Sequence, residues 1–222
     1  MLVSILGDSI STYVGYNPPG YKIFYDENML NRNGLRTVTD TWWHQVISYF
    51  DCQLLINASY SGSKCSGESF PASNSAERIN DLHNNYIPDI ILVYIGFNDF
   101  AYGSPLRRKN IFQLVNTVYF QDAYNVMLHK LKHTYPKAKI CCATLAKTYI
   151  KNNVNWQFPE MYNGCYALKE YNSVIRAATK KRKFYLVELE NLCYETLDGS
   201  HPTREGHKLI AKQWITCLKN FL

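Results

Sequence analysis

The stretch that decides the fold is "IILVYI", residues 90–95. It is apolar throughout and stops at Gly96. A strand with one wet face alternates apolar and polar residues. An unbroken apolar run of this length instead suits a parallel strand buried on both faces. Working outward, similar short runs occur at 2–6, 53–57, 140–145 and 184–189. Helical patterns lie between them. Residues 41–50 carry Trp42, Val46, Ile47 and Phe50 at helix-like spacing, and 75–86 is a second candidate. Tyr124, Met127, Leu128 and Leu131 form one stripe, which Tyr135-Pro136 ends. A fourth helix is predicted over 168–181. A fifth runs from 203 to the C-terminus, with Ile210, Trp214, Cys217, Leu218 and Phe221 on one face. Strand alternating with helix five times predicts an α/β sandwich on a parallel sheet.

With 222 residues and no repeat, linker or low-complexity tract, the expectation is a single domain over 1–222. The net charge of +6 raises the question of nucleic acid, but the Lys and Arg are scattered, which argues against it. The tightest runs are Arg107–Lys109 and 180–183, the latter closing a predicted helix where cations suit the macrodipole. Seven Cys in no framework spacing, without any C-x-x-C, predict mostly free thiols rather than a zinc site or disulfide scaffold. These thiols, and a chain that opens on a strand without a basic leader, lean toward the cytoplasm. No apolar run approaches the ~18 residues of a membrane span.

Three connections are long: 13–40, 97–121 and 146–166. Loops leaving the carboxyl ends of parallel strands line the ligand crevice, so the first two are expected to wall a pocket. Four polar clusters fall at that same edge. Ser9 follows the first strand in "GDSIS", and Gly62 lies in "NASYSGS" after the second. Asn98 and Asp99 lie in "GFND" after the third, and Asp198 and His201 in "DGSHP" before the last helix. Singly, each has an ordinary explanation as a turn or cap residue. Together they meet a chemical requirement. A serine hydroxyl needs a base to take its proton, and the base needs a third group to hold its tautomer. The tetrahedral intermediate needs donors aimed at its oxyanion. Ser9, His201 and Asp198 can fill the first three roles. The Ser9 and Gly62 N–H groups and the Asn98 amide can fill the last. Gly62 is expected to leave room for substrate, and Asp8 and Asp99 to bond backbone around the Ser9 and Asn98 turns.

These blocks, in this order over residues 4–202, resemble the SGNH (GDSL) hydrolases, with Ile10 in place of the family's Leu. The resemblance implies a flavodoxin-like three-layer α/β/α fold with about five parallel strands. It also implies an esterase or acylhydrolase that needs no metal or cofactor. Aromatic residues crowd the first loop: Tyr13, Tyr16, Tyr21, Phe24 and Tyr25, and Trp42, Trp43 and Tyr60 are expected nearby. Because aromatic faces stack on sugar rings, a short-chain, O-acetyl-type ester of a carbohydrate is the leading substrate class. Tyr13, Tyr60 and Arg78 are its candidate contacts. The alternatives are an acyltransferase on the same residues, a lysophospholipase or thioesterase, and a glycan-binding domain without catalysis. The last predicts a missing Ser, His or Asp, and none is missing.

Overall fold

The computed structural model describes residues 1–222 except 108–109, 111–113, 162–165 and 220. Its strands are β1 (Leu2–Gly7), β2 (Gln53–Asn57), β3 (Ile90–Tyr94), β4 (Lys139–Ala143), β5 (Lys147–Ile150), β6 (Tyr185–Val187) and β7 (Cys193–Thr196). Its helices are α1 (Glu27–Asn33), α2 (Trp42–Tyr49), α3 (Ala76–Asn80), α4 (Phe97–Ala101), α5 (Phe120–Thr134), α6 (Leu168–Lys181) and α7 (Arg204–Leu218). The main sheet has the order β2-β1-β3-β4-β6, and every pairing in it is parallel. The helices form two layers, α2 packing on α7 and α5 packing on α3 and α6, which gives a three-layer α/β/α sandwich.

The apolar run at 90–95 behaves as its composition requires. Ile90, Ile91, Val93 and Ile95 are fully buried in the centre of the sheet. Between α2 and α7, Trp42 stacks on Trp214 at 4.9 Å, and both are fully buried. Trp42 is therefore core, and its indole N–H donates to Ser11 Oγ beside the first cluster. Helix α2 starts where Thr41 caps it, its hydroxyl accepting from His44 N–H. Helix α3 stops after Asn80 instead of reaching 86, since the following Asp, His and two Asn favour turns over helix. Helix α7 ends at Leu218, short of Phe221, which is half exposed.

The topology places the clusters. The chain leaves β1 toward β2 on one side and returns to β3 on the other, so the strand order reverses at β1. Ligand crevices form at such switch points, outside the carboxyl ends of the strands. Ser9 follows β1, Gly62 follows β2 and Asn98 follows β3. The long connections are not structureless: 13–40 contains α1, 97–121 contains α4, and 146–166 contains β5. The pairing of β5 with β7 is a second, two-stranded parallel sheet that the apolar pattern does not announce.

Candidate active site

Ser9 stands on a single 3-10 turn, Ser9–Ser11, directly beyond β1. Asp8 caps that turn, its Oδ1 accepting from Ile10 N–H at 3.0 Å. Thr12 closes it, its hydroxyl donating to Ser9 O at 3.0 Å. The same Thr12 oxygen accepts from Phe24 N–H, which ties the turn to the following loop.

His201 arrives from the far end of the chain. Its Nε2 lies 2.9 Å from Ser9 Oγ, and its Nδ1 lies 2.7 Å from Asp198 Oδ2. Asp198 also accepts from the backbone N–H groups of Ser200 and His201. Burial alone would raise this carboxyl, but the His201 ring and those N–H groups outweigh it and hold it down at about 2. Asp198 is thus ionised at neutral pH and can only accept. Nδ1 is then the nitrogen that donates to Asp198, and in the tautomer protonated there Nε2 is the acceptor for the Ser9 hydroxyl.

The turn that carries this pair is built by the second sheet. Thr148 Oγ1 on β5 donates to Gly199 O at 2.6 Å, and Thr196 Oγ1 on β7 accepts from Gly199 N–H at 3.0 Å. Tyr194 on β7 donates its hydroxyl to Ser200 O. Gly199 has φ +88, and a Cβ there would come within 2.9 Å of the Trp156 ring, so only glycine fits. On the other side, Tyr25 donates its hydroxyl to Pro202 O at 2.7 Å, and Asn33 donates to the same oxygen. The Phe24 ring stacks on the His201 ring, with centroids 3.4 Å apart and planes 7° from parallel.

The remaining clusters complete the rim. Ser63 N–H bonds Tyr60 O across a turn whose third residue is Gly62, at φ +79. That backbone conformation, rather than crowding, calls for glycine, because a Cβ at 62 would meet no protein atom within 4 Å. The Asn98 amide donates one N–H to Ser63 O at 2.9 Å. This bond fixes the amide against the second cluster, and an amide has a second N–H to offer. Asp99 is fully buried and accepts from the N–H groups of Cys65 and Ser66. It therefore braces the second cluster, not its own turn as the sequence suggests.

Arg78 does not face a substrate, contrary to the sequence expectation. It is fully buried and binds three backbone carbonyls: Gly7 O and Ala58 O at 2.8 Å, and Pro71 O at 2.6 Å. It locks the ends of β1 and β2 together and has no exposed face for a substrate. Burial lowers it to about 10, so it stays charged at neutral pH. Tyr13 is also buried, 7% exposed, with its ring against Tyr16. Tyr60 is half-buried in an edge-to-face cluster with Tyr21 and Phe70. Trp43 and Tyr25 are fully buried. Arg108, Lys109 and Cys165 lie outside the described residues. The six described cysteines form no disulfide. Among the described residues, no group of three His, Cys, Asp or Glu is arranged to hold a metal ion, and no helix is long and apolar enough to cross a membrane.

The family described as GDSL-like Lipase/Acylhydrolase matches residues 1–218. The chain belongs to that family. The assignment makes it a GDSL-like hydrolase, in agreement with the order of its four clusters. This GDSL-like hydrolase is similar to a protein from Bacteroides uniformis ATCC 8492 assigned as a GDSL-like lipase, at 26% identity. The match covers 99% of this chain and 96% of that one, with a TM-score of 0.76. A second such protein, from Bacteroides ovatus ATCC 8483, matches at 24% identity over 99% and 98% of the two chains, with a TM-score of 0.71. The fold is shared by a family two carbohydrate esterase from Clostridium thermocellum at 16% identity, over 99% of this chain and 63% of that one, with a TM-score of 0.60. No curated protein matches the chain.

Proposed function

We propose that this GDSL-like hydrolase is a serine esterase in which Ser9, His201 and Asp198 form the catalytic triad. The observation that carries the reading is the unbroken relay from Ser9 Oγ to His201 Nε2 at 2.9 Å and from His201 Nδ1 to Asp198 at 2.7 Å. His201 Nε2 accepts the Ser9 proton as Oγ bonds to the ester carbonyl carbon. The carbonyl oxygen becomes an oxyanion, held by the N–H groups of Ser9 and Gly62 and by the second N–H of Asn98. The tetrahedral centre collapses, the C–O bond to the alcohol breaks, and Nε2 returns the proton to the departing oxygen. Water then attacks the acyl-enzyme, Nε2 takes the water's proton, and the Ser9 oxygen leaves with it.

The substrate is a short-chain acyl ester, of O-acetyl type, on a carbohydrate. Support comes from the aromatic faces by the second cluster, where Tyr60 and Phe70 lie 5.3 Å apart and Phe70 is 39% exposed. Release of p-nitrophenol from the acetate, butyrate and octanoate esters tests the chemistry in the wild type and Ser9→Ala. Turnover is expected to vanish in the variant and to fall with chain length in the wild type. Equal rates for the two proteins would remove Ser9 as nucleophile. Release of acetate from an acetylated oligosaccharide tests the alcohol portion, and an octanoate preference without such release would overturn the carbohydrate assignment.

A further inference from the structure

We infer that Phe24 is a positioning residue for His201, and that it acts most strongly on hydrolysis of the acyl-enzyme. The inference rests on the esterase reading above. The Phe24 and His201 rings are 7° from parallel with centroids 3.4 Å apart. The imidazole is held in its own plane by two hydrogen bonds, one at each nitrogen. Those bonds resist sliding within the plane but resist tilting only weakly, because the χ2 torsion of His is broad. A flat ring against one face supplies the missing restraint.

Phe24 is itself anchored to the nucleophile. Its N–H donates to Thr12 Oγ1, which donates in turn to Ser9 O. Its neighbour Tyr25 packs edge-to-face on it at 4.9 Å and donates to Pro202 O, one residue beyond His201. Asn33 donates to the same carbonyl. The segment from 24 to 33 is thus a clasp joining the serine turn to the histidine turn, and Phe24 is its point of contact with the base.

The restraint matters unequally in the two half-reactions. During acylation, Ser9 Oγ–H gives Nε2 a fixed partner. Once Ser9 is acylated, that hydrogen bond is gone and Asp198 is the ring's remaining hydrogen-bond partner. Nε2 must then direct a mobile water, so its orientation depends on the stack. The electron-rich face of Phe24 also attracts the imidazolium formed in each transition state.

Phe24→Ala, Phe24→Leu and Phe24→Tyr separate a flat face from simple filling of space. On p-nitrophenyl acetate, Phe24→Ala and Phe24→Leu are expected to lower kcat by about 10- to 100-fold, the scale of a misplaced catalytic group. kcat/KM should fall less, and a pre-steady-state burst of p-nitrophenol should grow as acyl-enzyme accumulates. Phe24→Tyr should restore most of kcat. Three variants with equally low rates, or an unchanged kcat in Phe24→Ala and Phe24→Leu, would overturn the inference while leaving the esterase reading intact. A loss of kcat/KM as large as the loss of kcat would remove the assignment to acyl-enzyme hydrolysis. Ser9→Ala in the same assay separates the two levels: turnover surviving there sinks the esterase reading, and the role of Phe24 with it. Labelling of Ser9 by a fluorophosphonate provides a readout that needs no ester, and no labelling of the wild type would count against both.

Discussion

At the scale of single residues, the proposed mechanism depends on one proton being in one place. Asp198 is held at about 2, so it accepts from Nδ1, and in the proposed mechanism Nε2 is then the base. Asp198→Asn keeps the shape but offers an N–H where Nδ1 needs an acceptor. The ring should then turn to the other tautomer, and kcat should fall by roughly 10³–10⁴ with KM little changed. Steady-state kinetics on p-nitrophenyl acetate would check this, and a loss confined to KM would contradict it. The types and order of these residues were legible in the sequence, because each sits in a short local pattern after a strand. The fate of Arg78 was not. A lone Arg in "AERIN" carries no local sign of facing inward. Three carbonyls at the ends of β1, β2 and the 71 turn decide it, and only the folded chain brings them together.

At the scale of elements, the five core strands and the long helices were legible because burial leaves a period: none in "IILVYI", helical in α5 and α6. The small sheet was not. Its strands, "KTYI" and "CYET", are only four residues each and mix polar with apolar residues, too short to show an apolar period. They nonetheless support the turn that carries Asp198 and His201. Thr148 is 1% exposed, and its bond to Gly199 O runs from β5 to that turn. Thr148→Val keeps the volume and deletes the donor, leaving the carbonyl without it. The expected cost is about 1–3 kcal/mol in urea denaturation. kcat should also drop, by less than the ~10²-fold that a full ångström of displacement brings. Unchanged stability and kcat would show that β5 does not brace the turn.

At the scale of the whole molecule, stability is coupled to pH through charge buried under the site. Burial pushes the Asp8 carboxyl up from 3.8 to about 7, with Asp99 nearby adding to the rise against Ile10 N–H and Arg78. The folded chain therefore holds a proton on Asp8 that the unfolded chain has released between pH 3.8 and about 7. The unfolding free energy should fall as pH rises through that window, by on the order of a few kcal/mol, and level off above it. Asp8→Asn keeps an acceptor for Ile10 N–H and removes the titration. It should flatten most of this slope, with a remainder from Asp99, which burial shifts in the same direction. Urea midpoints at pH 5 and pH 8 would decide, and an equal slope in both proteins would reject Asp8 as its source. By itself, the sequence determined the layered α/β architecture and which side chains stand at the strand ends. Those features follow from periodicity and turn chemistry within a few residues. Only the tertiary structure decided that Phe24 lies on His201, that Arg78 turns inward and that a second sheet holds the histidine turn. Each of those arrangements is set by hydrogen bonds and ring contacts between segments remote in the chain, as Ser9 and His201 are at 192 positions apart, and no local pattern encodes them.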